Sequence, residues 1–270
     1  MSSPLAPTRP TRLSLAVRDS STMLRRNLLH ARRYPSLTLN LLLTPIMLLL
    51  LFVYIFGDAM SGGIGGGDRS DYIAYLVPGL LLMTIGSTTI GTAVSIANDM
   101  SEGIIARFRT MAIHRGSVLV GHVVGSVLQS IAGVVLVGAV GVAIGFRSTD
   151  ATALEWLAAF GLLVLFALAL TWIAVGMGLI SPNAEAASNN AMPLIFLPLI
   201  SSAFVPVDSM PGWFQPIAEY QPFTPAIETL RGLLLGTEIG HNGWLAVVWC
   251  LGLAALGYLW STSKFNHDPK

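Results

Sequence analysis

The chain has 270 residues, 53% of them hydrophobic and 11% charged, with a formal net charge of +1. Soluble domains carry about 25% charged residues, so a fold bathed in water is excluded and lipid is the expected solvent. The near-zero net charge leaves no nucleic-acid footprint, and the single cysteine, Cys250, permits no intramolecular disulfide.

Residues 1–36 form an Arg-rich N-terminal segment. Within it, residues 12–33 predict an amphipathic helix. Leu13, Val17, Leu24 and Leu28 repeat at spacings of four and seven, and Arg fills much of the remaining surface. Such a helix rests in the cytoplasmic interface with its guanidinium groups among lipid phosphates, and it also orients the chain. The segment is far longer than the basic head of a signal peptide and no A-x-A site follows the first apolar run, so no cleaved signal is expected.

An all-α, polytopic membrane domain is expected over residues 37–260, followed by a short cytoplasmic tail at 261–270. A crossing needs about 20 apolar residues. Six runs meet or approach this: Leu37–Phe56, Tyr72–Ala97, Ser117–Phe146, Trp156–Ile180, Asn190–Pro206 and Gly243–Trp260. The fifth is short and holds Pro193, Pro198 and Pro206, so it is expected to be kinked or broken. Twelve of the fifteen basic residues precede the first run, follow the second or lie in the tail. By the positive-inside rule this places both termini and the loop after the second run in the cytoplasm.

The loop "GDAMSGGIGGGDRSD" at 57–71 reads as a flexible linker rather than a mobile lip. The second run carries a hydroxyl stripe: Thr84, Ser87, Thr88, Thr92 and Ser95. Such a stripe lines a path for amphiphiles, or bonds back to its own carbonyls one turn earlier. "GSTTIGT" at 86–92 has P-loop-like glycine spacing but no following lysine, and it lies inside a span, so nucleotide binding is not expected of this chain.

Between the second and third runs lies one charged island, "NDMSEGIIARFRTMAIHRGS", at 98–117. Ile104, Ile105, Phe108, Met111 and Ala112 share one face of a helical period, with Glu102 and Arg109 opposite. Asp99 and Glu102 have capping-box spacing, which predicts a helix starting at Asp99. A soluble partner gripping this helix and a helix lying on lipid fit the composition equally. His114 and His122 are eight apart with no clear acidic partner, so no metal site is expected and His122 reads as a packing residue. Small residues at Ser117, Gly121, Gly125, Gly141 and Gly145 predict close helix packing.

Val205–Gly236 is too polar to span and too apolar to hang in water. Trp213, Phe214, Tyr220 and Phe223 suit the outer interface, which predicts short re-entrant helices acting as an exit cap or an anchor.

The order of features resembles the ABC-2 type permeases, in particular the daunorubicin-resistance-like branch of drug exporters. The matching stretches are "LRRNLLHARRYPSLTLNLLLTPIMLLLLFVYIFG", "YLVPGLLLMTIGSTTIGTAVSIANDMSEGIIARFRTMAIHRGSVLVGHVV" and "MPGWFQPIAEYQPFTPAIETLRGLLLG". The most specific feature is "VPG" followed by the acidic-Gly-Ile-basic-Arg-Phe-Arg loop. The resemblance implies a permease that pairs with a second copy or a paralogue and with two separately encoded ATPase subunits. It implies that ATP and Mg are bound by the partner and no cofactor by this chain. The surface gripping the ATPase then falls on Glu102, Gly103, Arg107, Phe108 and Arg109, with Asp99 at its head. "EAASNNAMPLIFLP" at 185–198 resembles the EAA loop of import permeases, but Ala191 stands where a glycine belongs, and the match is read as chance.

Together these features predict a permease in the bacterial cytoplasmic membrane exporting a lipophilic or amphipathic compound. Lipid or lipid-linked glycan export is the alternative cargo. An ion-coupled carrier is disfavoured by the absence of acids at mid-span.

Overall fold

A computed structural model of the chain describes residues 35–57, 69–101, 115–148 and 151–267. Among the described residues the fold is helical throughout, with no strand. Four helices are long and apolar enough to cross a membrane. These are α2 (Arg69–Ser101), α3 (Arg115–Ile144), α4 (Ala153–Ile180) and α9 (Asn242–His267). Ahead of them α1 (Pro35–Leu51) runs through Pro45 and widens into a π-type turn at Phe52–Phe56. The predicted N-terminal amphipathic helix lies outside the described residues.

Helix α2 is the axis of the bundle. The most apolar stretch of α2 is 89% buried against 17% for α9, so α2 is wrapped by protein while α9 presents its flank outward. Its 33 residues reach about 50 Å at 1.5 Å per residue, well beyond the hydrocarbon thickness. Helices α1, α3 and α4 pack around it, and α9 packs most extensively on α4.

The α4–α9 contact rests on reciprocal small-for-large packing. A Cβ on Gly257 would lie 2.8 Å from Cβ of Trp172, and one on Gly176 would overlap the Trp260 ring. Trp172 also meets Tyr258 edge-on with centroids 5.0 Å apart. Close helix approach therefore occurs at glycines that sequence reading passed over, besides Gly141, whose missing Cβ makes room for Val77 of α2.

A capping box starts α4. Glu155 N–H donates to Thr152 Oγ1 at 3.3 Å, and Thr152 N–H donates to Glu155 Oε2 at 2.6 Å.

The proline-rich stretch breaks as its prolines dictate. Asn183 caps α5 (Ala184–Ala191) by accepting from Ala186 N–H at 2.8 Å. Then α6 (Pro193–Phe196), a 3₁₀ turn (Leu197–Ile200) and the bend 201–204 follow. This stretch runs antiparallel along α2, with Leu194 at Gly86 and Ala203 at Gly79. "VPG" thus has a physical reason here: only glycine at 79 leaves room for the returning backbone, because a Cβ would sit 2.8 Å from Ala203 Cα. Helix α5 fills most of the gap between the predicted runs Trp156–Ile180 and Asn190–Pro206.

Beyond it come α7 (Gln215–Tyr220) and α8 (Phe223–Leu235). Helix α8 ends at Gly236, whose φ of 72° suits glycine and whose N–H donates to Gly232 O at 2.9 Å.

Two ends of the bundle are defined by contacts. At one, Phe52 meets Phe204 at 4.8 Å and Ser148 Oγ donates to Leu234 O at 2.6 Å. At the other, Ile96, Leu119, Val123, Leu179 and Phe265 form a small apolar cluster. The ends of α2 and α3 that flank residues 102–114 lie at this second end.

Candidate functional site

The polar groups buried among these helices gather at two levels. The first lies between α2 and α3, near residues 102–114. His122 and Asp99 are 95% and 94% buried, with Nε2 and Oδ2 3.0 Å apart. The two groups share one hydrogen bond across the helix pair, its donor set by the imidazole tautomer. The acidic partner that sequence spacing failed to find for His122 is therefore Asp99, delivered by the return of α3 along α2.

Asp99 does not begin a helix. It lies inside α2, whose helical path continues to Ser101, and its carboxylate is used across the helix pair. The cap reading fails because a local spacing rule cannot see a partner 23 residues away. Glu102, Gly103, Arg107, Phe108 and Arg109 lie outside the described residues.

Further along the same pair of helices, Thr92 Oγ1 and Ser126 Oγ are 2.5 Å apart, and Thr88 Oγ1 and Ser130 Oγ are 2.6 Å apart. Ser126 also reaches Thr171 of α4 at 3.4 Å. Thr84, Ser87 and Thr88 donate to Leu80 O, Met83 O and Thr84 O, one turn back. Four residues of the hydroxyl stripe are therefore buried and hydrogen-bonded, while Ser95 is partly exposed. The buried four are spent on bonds to the carbonyls of α2 itself and to the hydroxyls of α3.

The second level lies at the opposite end and was not singled out from sequence. Arg231 of α8 is 94% buried. Its Nη1 donates to Glu228 Oε1 at 2.6 Å, and Nη2 donates to Tyr75 O and Ser202 O, both at 3.1 Å. The guanidinium carbon stands 3.8 Å from the Tyr75 ring centroid, and Tyr75 Oη donates to Ser202 O at 2.8 Å. One side chain thus ties α8 to α2 and to the 201–204 bend. The available signal was the Glu228–Arg231 pair at i, i+3 in an otherwise apolar helix.

The four aromatic residues predicted for the outer interface divide. Trp213 and Tyr220 are exposed, and Phe214 is half-buried against Trp213 with centroids 5.4 Å apart. Phe223 is fully buried, edge-on to Phe166 at 4.9 Å, so it belongs to the core rather than to an interface belt. It sits on the inward face of α8 at its first turn.

The sequence pattern of the ABC-2 type transporter family matches residues 19–235. The chain is 29% identical over 252 residues to the daunorubicin resistance ABC transporter permease protein DrrB1 of Streptomyces coeruleorubidus, covering 92% of this chain and 86% of that one. It is 24% identical over 180 residues to the probable doxorubicin resistance ABC transporter permease protein DrrC of Mycobacterium tuberculosis, covering 65% and 64%. It is 24% identical over 213 residues to Nodulation protein J of Rhizobium meliloti, covering 72% and 74%.

Proposed function

This chain belongs to the ABC-2 type transporter family, and on that premise we propose that it is the membrane subunit of an exporter of lipophilic or amphipathic compounds of the drug type. Separate soluble subunits hydrolyse ATP with Mg, in two copies. Two permease chains, this one twice or with a paralogue, enclose the path. The observation that carries the reading is the similarity to a daunorubicin resistance permease along nearly the whole length of both chains. The interior agrees with it. Inside the bundle Thr88 is tied to Ser130, Thr92 to Ser126 and Asp99 to His122, which suits a greasy cargo better than a hydrated ion.

In this reading residues 37–260 cross the bacterial cytoplasmic membrane six times. The broken stretch along α2 is the fifth crossing, and both termini and residues 102–114 face the cytoplasm. Glu102, Gly103, Arg107, Phe108 and Arg109 form the contact for the ATPase. Trp213, Phe214 and Tyr220 sit at the outer leaflet near the exit. Of the second-run hydroxyls, partly exposed Ser95 borders the route.

Two measurements test this. Inverted vesicles holding the chain and its ATPase are expected to accumulate daunorubicin with ATP and to lose that accumulation when either subunit is omitted. Uphill transport by the chain alone would refute the reading. The double substitution Glu102→Ala with Arg109→Ala is expected to insert normally but to cost about 2 kcal/mol of ATPase affinity, roughly thirtyfold. Pull-down of the ATPase at the unaltered level by that variant counts against this contact.

A further inference from the structure

Helices α2 and α3 are joined by three side-chain rungs along one antiparallel seam. Asp99 faces His122, Thr92 faces Ser126 and Thr88 faces Ser130. As the α2 number falls, the α3 number rises, by seven and four against four and four, so the rungs follow one antiparallel seam. The rung nearest residues 102–114 pairs two ionisable groups, and only Met100 and Ser101 separate Asp99 from Glu102. From the middle rung the chain of hydroxyls continues to Thr171 of α4.

Apolar contact between helices is non-directional and permits sliding by fractions of a turn. Directional bonds between buried groups do not, because a displaced partner finds no water to replace it. A load applied at residues 102–114 reaches Asp99 and His122 before any other rung.

We propose that Asp99 and His122 are positioning residues for energy coupling: they lock α2 and α3 into one rigid hairpin, so that a displacement imposed on residues 102–114 is delivered to both helices without slip. This rests on the exporter reading above. It moves Asp99 from the ATPase-facing surface to the interior, where its burial places it. The hydroxyl rungs then keep the two helices in step farther into the bundle, and Ser126 passes the movement to α4.

The test uses the permease assembled with its ATPase in proteoliposomes, with ATP hydrolysis and daunorubicin transport read in the same preparation. Asp99→Asn and His122→Gln are expected to retain the bound ATPase and its basal hydrolysis. Transport per ATP is expected to fall by about tenfold, within the range for residues that carry coupling. The exchanged pair, Asp99→His with His122→Asp, is expected to recover part of the loss. A merely structural pair would lower the yield of folded complex and leave transport per ATP unchanged in the fraction that folds, and that result overturns the proposal.

A second variant holds if the single substitutions do not fold. Thr88→Cys with Ser130→Cys, whose side-chain oxygens lie 2.6 Å apart across the same helix pair, joined by a disulfide, is expected to keep transport per ATP near the unaltered value, since the hairpin is already rigid. Transport abolished by oxidation and restored by reduction would show that α2 and α3 must move apart, and the proposal falls. Failure of the unaltered complex to move daunorubicin with ATP defeats the exporter reading instead, and is recognised before any variant is made.

Discussion

Arg231→Ala is expected to cost about 3–5 kcal/mol of stability, the loss seen when one partner of a buried ion pair is removed. The guanidinium is 94% buried and serves four partners on three elements: Glu228 on its own helix, the ring and carbonyl of Tyr75 on α2, and Ser202 O in the bend after the broken stretch. Alanine removes the cation and leaves Glu228 half-buried without its counter-charge. It also strips Tyr75 O of this donor, whereas Ser202 O keeps the bond from Tyr75 Oη. Arg231→Lys is expected to recover part of the charge but not the fork that spans two carbonyls, nor the stacking. Glu228→Gln is expected to cost less, because that side chain is 29% exposed and its amide still accepts. Thermal unfolding of detergent-purified protein checks the order. Arg231→Ala melting at the unaltered temperature would remove Arg231 from the list of structural ties.

Gly86→Ala is expected to be nearly as damaging, at about 3 kcal/mol or more, although it adds one methyl group. Its Cβ would lie 2.5 Å from Leu194 O, a backbone atom on the stretch that lies along α2. Flexible side chains yield to such a contact, but a carbonyl fixed in a folded turn does not. The control is Gly161→Ala on α4, where nothing lies within 4 Å of the added atom. There the same change is expected to stabilise by about 0.5–1 kcal/mol, through helix propensity alone. Opposite signs for one substitution, measured as shifts in melting temperature, separate steric contact from backbone preference. Equal shifts would mean that α2 and residues 193–204 are not in contact.

The long helices were legible because each is written locally. Runs predicted at Tyr72–Ala97 and Trp156–Ile180 emerge as Arg69–Ser101 and Ala153–Ile180. The extra turns come from polar ends that hydropathy discards and the helix keeps. The break near Pro193 and Pro198 was legible for the same reason, since proline acts on its own backbone. Its path along α2 was not, because Gly79 and Gly86 acquire meaning only once Ala203 and Leu194 are placed against them.

The candidate site divides similarly. Back-bonding by Thr84 and Ser87 follows from their own helix and was among the readings of the stripe. The links Thr92–Ser126, Thr88–Ser130 and Asp99–His122 join residues 23 to 42 positions apart, and no periodicity encodes such a pairing. The role of Arg231 was not legible, because burial is a property of the packed bundle and not of the residue type.

Cys250, the chain's one thiol, is 1% exposed on α9 and turned into the bundle. Membrane-impermeant alkylating reagents therefore meet no accessible target on the natural sequence, which serves as its own blank for sulfhydryl mapping. A reporter cysteine placed at exposed Asn183, and another at exposed Thr237, identifies which aqueous compartment each position faces without first stripping the protein of a native residue.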